Sequence, residues 1–120
     1  MAEIKTYHGD EVMRAIDQNQ GLLFVHFSSP LASACEQVHR DLAALVMHLD
    51  LVEVGEVEVP LQELEVIRRY RIEQIPTLVL FNGVTEVERL DDVPSREDLK
   101  QFLLDSVSYY VPATGHPGNG

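Results

Sequence analysis

The first apolar residues alternate with polar ones over Ile4–Tyr7, which predicts a short strand. Gly9-Asp10 then opens a stretch in which Val12, Met13 and Ile16 recur at helical spacing. After Gly21 the pattern changes again. Leu22–Phe27 is nearly all apolar, as expected of a strand covered on both faces. Ser28-Ser29-Pro30 interrupts it, and Ser29 or Pro30 is placed to start the next helix, through a capping hydroxyl or a proline in the first turn. Leu31, Ala34, Cys35, Val38, Leu42, Leu45, Val46 and Leu49 follow at steps of three and four, predicting a long amphipathic helix.

Leu51–Val59 alternates strictly enough to predict a strand, with Gly55 a place where its ladder could end early. Pro60 precedes a helix expected over Leu61–Tyr70, with Leu64 and Ile67 inward. Leu78–Phe81 and Val84–Leu90 flank Asn82-Gly83, a strong hairpin signal because both residue types tolerate positive φ. Ser95-Arg96-Glu97-Asp98 looks like a helix start, and Leu99, Phe102, Leu103 and Val107 supply the apolar stripe of a final helix. Two prolines and three glycines between Tyr109 and Gly120 mark a loose C-terminal tail. The order is βαβαβαββα, an α/β pattern that implies a mixed sheet of about five strands flanked by four helices. One domain is expected over residues 1–108.

Composition narrows the function. Nine Lys and Arg face twenty Asp and Glu, a formal net charge of -11. Such a surface repels phosphate backbones and anionic lipid headgroups, so neither nucleic acid nor a membrane is the expected partner. The acidity confers solubility or favours a basic protein partner. A single cysteine permits no intramolecular disulfide, and no export signal or membrane span is visible, so a cytoplasmic setting is expected. The five histidines lack the spacing to cysteine or acid of a zinc site, and no phosphate-binding glycine motif or serine nucleophile elbow occurs. Neither a metal nor a cofactor is expected.

Two segments resemble the thioredoxin family. Val25-His26-Phe27-Ser28-Ser29-Pro30-Leu31-Ala32-Ser33-Ala34-Cys35 is similar, without a gap, to the active-site segment V-D-F-W-A-P-W-C-G-P-C. Ile75-Pro76-Thr77-Leu78-Val79-Leu80-Phe81-Asn82-Gly83 is similar to the second hallmark, in which the proline peptide bond is cis and faces the site. The resemblance implies a thioredoxin-like fold and a peptide groove formed by Leu31, Ala32, Ser33, Ala34, Ile75 and Pro76. Asp91 and Asp92 stand beside it, where the family usually has glycine.

For the chemistry, the resemblance implies a loss. In the family the first cysteine of C-x-x-C attacks and the second resolves the mixed disulfide. Here Ala32 replaces the first and Cys35 keeps the second, so a two-thiol cycle within one chain is not expected. His26 falls where the family has a buried aspartate beneath the second cysteine. It is thus either the proton partner of a single reactive thiol at Cys35 or a core histidine. Cys35 is either that thiol or a small apolar core residue. The functional expectation is a non-dithiol protein-binding or chaperone and assembly module that contacts a protein or peptide segment; the alternative is a single-thiol redox protein.

Overall fold

The computed structural model describes residues 3–49, 52–59, 64–91 and 95–110. Along the chain run β1 (Ile4–Tyr7), α1 (Gly9–Asp17), β2 (Leu22–Ser28), α2 (Ser33–Val46) and β3 (Val52–Glu58). They are followed by α3 (Leu64–Tyr70), β4 (Thr77–Asn82), β5 (Thr85–Leu90) and α4 (Arg96–Tyr110). The strands form one sheet in the order β1-β3-β2-β4-β5. β3 is parallel to both β1 and β2, whereas β4 runs antiparallel to β2 and to β5. The mixed α/β fold therefore matches the sequence pattern.

β2 lies at the centre and is buried along its whole length, which explains its unbroken apolar run. Its side chains alternate between two cores. Leu23, Val25 and Phe27 pack with Val12 and Ile16 of α1 and Val66 and Tyr70 of α3. Leu22 and Phe24 pack on the other face with Val38, Leu42 and Val46 of α2 and Leu99 and Leu103 of α4. The even-numbered His26 and Ser28 follow the second set, towards α2.

Four local expectations are corrected. α2 starts at Ser33, not at Ser29 or Pro30: the Ser29 hydroxyl accepts from the Leu31 N–H, and the Ala32 N–H donates to the Ser29 carbonyl, closing a turn before the helix. Leu31 is consequently 88% exposed rather than part of the apolar stripe. Gly55 does not end its strand, since β3 continues to Glu58; a Cβ there would stand 2.6 Å from Tyr7 Cε2, so the glycine makes room for the Tyr7 ring. In the hairpin Asn82 still pairs with Thr85, and Gly83 (φ 62°) and Val84 make the turn. Finally, α4 runs through Tyr109 and Tyr110, which the sequence reading placed in the tail. The Tyr110 hydroxyl donates to the Glu88 carboxylate on β5 at 2.9 Å and holds that last turn to the sheet. Residues 60–63 and 111–120, which carry the expected start of the third helix and the rest of the tail, lie outside the described residues.

Hydrogen bonds close the end of α3 and the start of α4. The Ile72 and Arg71 N–H groups donate back to the Ile67 and Arg68 carbonyls at the end of α3, with Arg71 at φ 51°. The Arg89 guanidinium of β5 donates to the Tyr70 and Arg71 carbonyls, satisfying acceptors that the helix leaves open. At the start of α4 the Ser95 hydroxyl accepts from the Asp98 N–H at 3.1 Å, as the sequence suggested.

Candidate functional site

The site develops where β2 gives way to α2. Because β2 and β3 are parallel, their C-terminal ends lie side by side, with His26 opposite Glu56 and Ser28 opposite Glu58. The first turns of α2 pass over this corner. Between them is a cleft of about 380 Å³ lined by Ser28, Ser29, Ala32, Ser33, Cys35, Glu36, His39, Glu56 and Glu58, with Pro30 at its rim.

Cys35 sits at the bottom of the helix side of this cleft and is 5% exposed. Its sulfur accepts a hydrogen bond from the Ser29 N–H at 3.4 Å. Burial pushes the thiol above its ordinary value; the Ser29 N–H works the other way, and the negative charge of Glu56 adds to the rise. The thiol form is thereby favoured, opposite to what an attacking cysteine requires.

Glu56 organises the corner. Its Oε2 lies 2.7 Å from Nδ1 of His26 and 2.8 Å from Nδ1 of His39. Burial acts to raise the Glu56 carboxyl, but the two imidazole hydrogen bonds outweigh it and hold the group below the usual carboxylate range. Near neutrality Glu56 is therefore an anion that can only accept, so both imidazoles donate through Nδ1–H. His39 is about half exposed, Glu56 nearly covered and His26 fully buried. Among the described residues Nε2 of His26 has no hydrogen-bond partner.

This geometry redraws the expected site. His26 engages Glu56, and neither of its ring nitrogens bonds the Cys35 sulfur, so the pairing of His26 with Cys35 is replaced by a His26–Glu56–His39 cluster. Ala32 and Ser33 line the cleft with Cys35, whereas Ala34 is half-buried and Leu31 projects into solvent. Ile75 and Pro76 lie on the other side of β2. They precede Thr77, the register partner of Phe27, and the peptide bond between them is cis. Pro76 is buried, and Ile75 packs against the core beneath α1 and α3. Asp91 is half-buried directly after β5 at the same end of the sheet, and Asp92 lies outside the described residues.

Sequence reasoning missed His39 and Glu56. His39 follows Cys35 by four residues and so shares its helix face, a spacing that could have signalled it. Glu56 shares the parity of Val52 and Val54, a sequence signal that it faces α2, but only the parallel register with β2 puts it against His26. Among the described residues no group of three or more histidine, cysteine or acidic side chains is arranged to hold a metal ion. No described helix is long and apolar enough to cross a membrane.

Comparison with known proteins agrees with this architecture. The family model described as Thioredoxin matches residues 3–105. Glutaredoxin-3 of Homo sapiens is 33% identical over 102 residues, which cover 81% of this chain and 29% of that protein. Glutaredoxin-3 of Bos taurus is 30% identical over 100 residues, covering 82% and 30%. The chain thus spans less than a third of these relatives' length. Thioredoxin f2 of Chlamydomonas reinhardtii superposes with a TM-score of 0.77 at 17% identity, over 92% of this chain and 99% of that one. The thioredoxin of Trypanosoma brucei brucei gives 0.74 at 17% identity, over 88% and 92%. Sheet order, the motif segment leading into α2 and the family match together establish that this chain belongs to the thioredoxin family.

Proposed function

We propose that this chain is a non-dithiol protein-binding module, of chaperone or assembly type, that holds a segment of a partner protein where α2 begins, in the groove around Pro76. The observation that carries the reading is the pair Ala32 and Cys35. Alanine occupies the N-cap position of α2, where the family's attacking thiol stands, and the remaining cysteine is buried with its thiol form favoured. A resolving thiol with no attacking partner has no mixed disulfide to resolve. The reading is supported by Pro76 beside the end of β2 and by Leu31 exposed next to Ala32.

Charge supports a basic segment as the ligand. Glu36, Glu56 and Glu58 line the neighbouring cleft, and the chain carries a net charge of -11. The test is a peptide library presented to the immobilised full chain, together with an insulin-reduction assay driven by thioredoxin reductase and NADPH. Lys- and Arg-rich peptides should be enriched, their binding should weaken in Glu36→Gln and Glu58→Gln, and insulin should remain oxidised. Insulin turnover at the rate of a dithiol thioredoxin, or enrichment blind to peptide charge, overturns the reading.

A single-thiol redox role is the second reading, favoured by the placement of Cys35 on the cleft wall and by the relatives named glutaredoxin-3. It requires the folded chain to form a mixed disulfide with glutathione disulfide at neutral pH, with one glutathione released per thiolate that attacks. Mass spectrometry of the intact protein decides it: no adduct without denaturant eliminates this role.

A further inference from the structure

His39 and Glu56 face each other across the cleft that Cys35 lines, one from the helix wall and the other from the strand beneath it. His39 lies one turn beyond Cys35 on the same face of α2. Its Nδ1 reaches both carboxylate oxygens of Glu56, at 2.8 and 3.0 Å. Glu56 is itself anchored from below by the fully buried His26. A half-exposed side chain of α2 is thus tied to a group that cannot move without breaking a buried hydrogen bond.

We propose that the contact between His39 and Glu56 is a clasp that keeps the first turns of α2 closed over Cys35, and that its release, not unfolding of the domain, exposes the thiol. The groups facing Glu56 make this contact directional. His26 approaches from β2, and Cys35, Glu36 and His39 come from α2. Glu58 is the next outward carboxylate on its own strand, and the β1 register partner, Thr6, carries no charge. Two imidazole N–H groups reach the nearly covered carboxylate, so losing the His39 donor loosens the start of α2 while the core residues Val38 and Leu42 keep the rest of the helix packed and the His26 anchor stays in place. The Cys35 sulfur itself accepts from the Ser29 N–H at 3.4 Å, a weak contact, and the turn before it is closed by the Ala32 and Cys35 N–H groups donating to the Ser29 and Ala32 carbonyls.

The experiment measures the rate of Cys35 alkylation by iodoacetamide across pH, taking the high-pH plateau as thiol access and the midpoint as thiol ionisation. His39→Leu keeps the bulk of the side chain but removes the donor, whereas His39→Asn places an amide N–H close to the position of Nδ1. The plateau should rise about ten- to a hundredfold in H39L, the factor that loss of a hydrogen bond to a charged group puts on an opening equilibrium. H39N should stay within a few-fold of the parent chain. Local release also predicts an alkylation rate in H39L that barely changes with low urea. Asp17→Asn, which removes the Arg69 pair on the opposite face of the sheet, serves as the control and should leave the plateau unchanged. The clasp is overturned if H39L protects the thiol as well as histidine does, if H39N exposes it as much as H39L, or if the gain climbs steeply with urea and appears equally in D17N.

Discussion

The backbone N–H of Ser29 points at the sulfur of Cys35 from 3.4 Å, joining the turn after β2 to the first turn of α2. This bond favours the thiolate, yet burial and the nearby Glu56 charge prevail, and the thiol stays above its ordinary value of 9.0. The folded chain should therefore react with iodoacetamide at pH 7 more slowly than a cysteine-containing peptide. Its reaction midpoint should lie above pH 9.0, and the difference from the peptide should vanish in denaturant. A midpoint below the peptide's contradicts the account.

Glu56 links the same corner to stability. Its carboxyl is held below 4.5 in the folded chain, so the unfolded chain binds the proton more readily. The stabilisation is complete above about pH 4.5, the ordinary value, and is lost as the pH falls through the folded-state pKa. Urea denaturation of the parent chain and Glu56→Gln at pH 7 and at several pH values below the ordinary value of 4.5 should show the gap between them shrinking as the pH drops. An unchanged gap shows that Glu56 gains nothing from the two histidines.

Gly55 tests the packing of β1 on β3. A Cβ at this position stands 2.6 Å from Cε2 and 3.1 Å from Cδ2 of Tyr7, so Gly55→Ala forces the ring to shift. The expected cost is roughly 1–3 kcal/mol, the usual range for overpacking. Tyr7→Ser removes the obstacle, and in that background G55A should cost less than half as much. Equal costs in both backgrounds would place the strain elsewhere.

At the end of α3, Arg71 adopts φ 51°, a left-handed conformation in the position where helices most often place glycine. Relief of that conformation outweighs the extra chain entropy of glycine, so Arg71→Gly should stabilise the domain by about 0.5–1 kcal/mol. Thermal unfolding reads this directly, and a lower Tm rejects it.

The sequence determined the fold because its signals are local. The buried run of β2 and the stripe of Val38, Leu42 and Val46 report which faces are covered, and the apolar positions of β3 change phase at Gly55 because both of its faces are covered. The motif segment likewise located Ala32 and Cys35 at the start of α2, within one turn of where the helix begins. Boundaries were less legible. Ser29 can cap a helix or close a turn, and in the folded chain it closes a turn, accepting from the Leu31 and Ala32 N–H groups. Leu49 continues the apolar period although α2 ends at Val46, because a tight turn through the His48 and Leu49 N–H groups keeps it pointing inward.

What tertiary structure alone decided is the company His26 keeps. From the sequence the nearest chemical group to consider was Cys35, nine positions on and in the same motif. The parallel pairing of β2 with β3 instead sets His26 beside Glu56, thirty residues away, and α2 brings His39 down onto the same carboxylate. Side-chain partners across a sheet depend on strand order and register, which are set by the packing of both faces at once. The parity of Glu56 with Val52 and Val54 tells which face it lies on, but not which side chain it meets there.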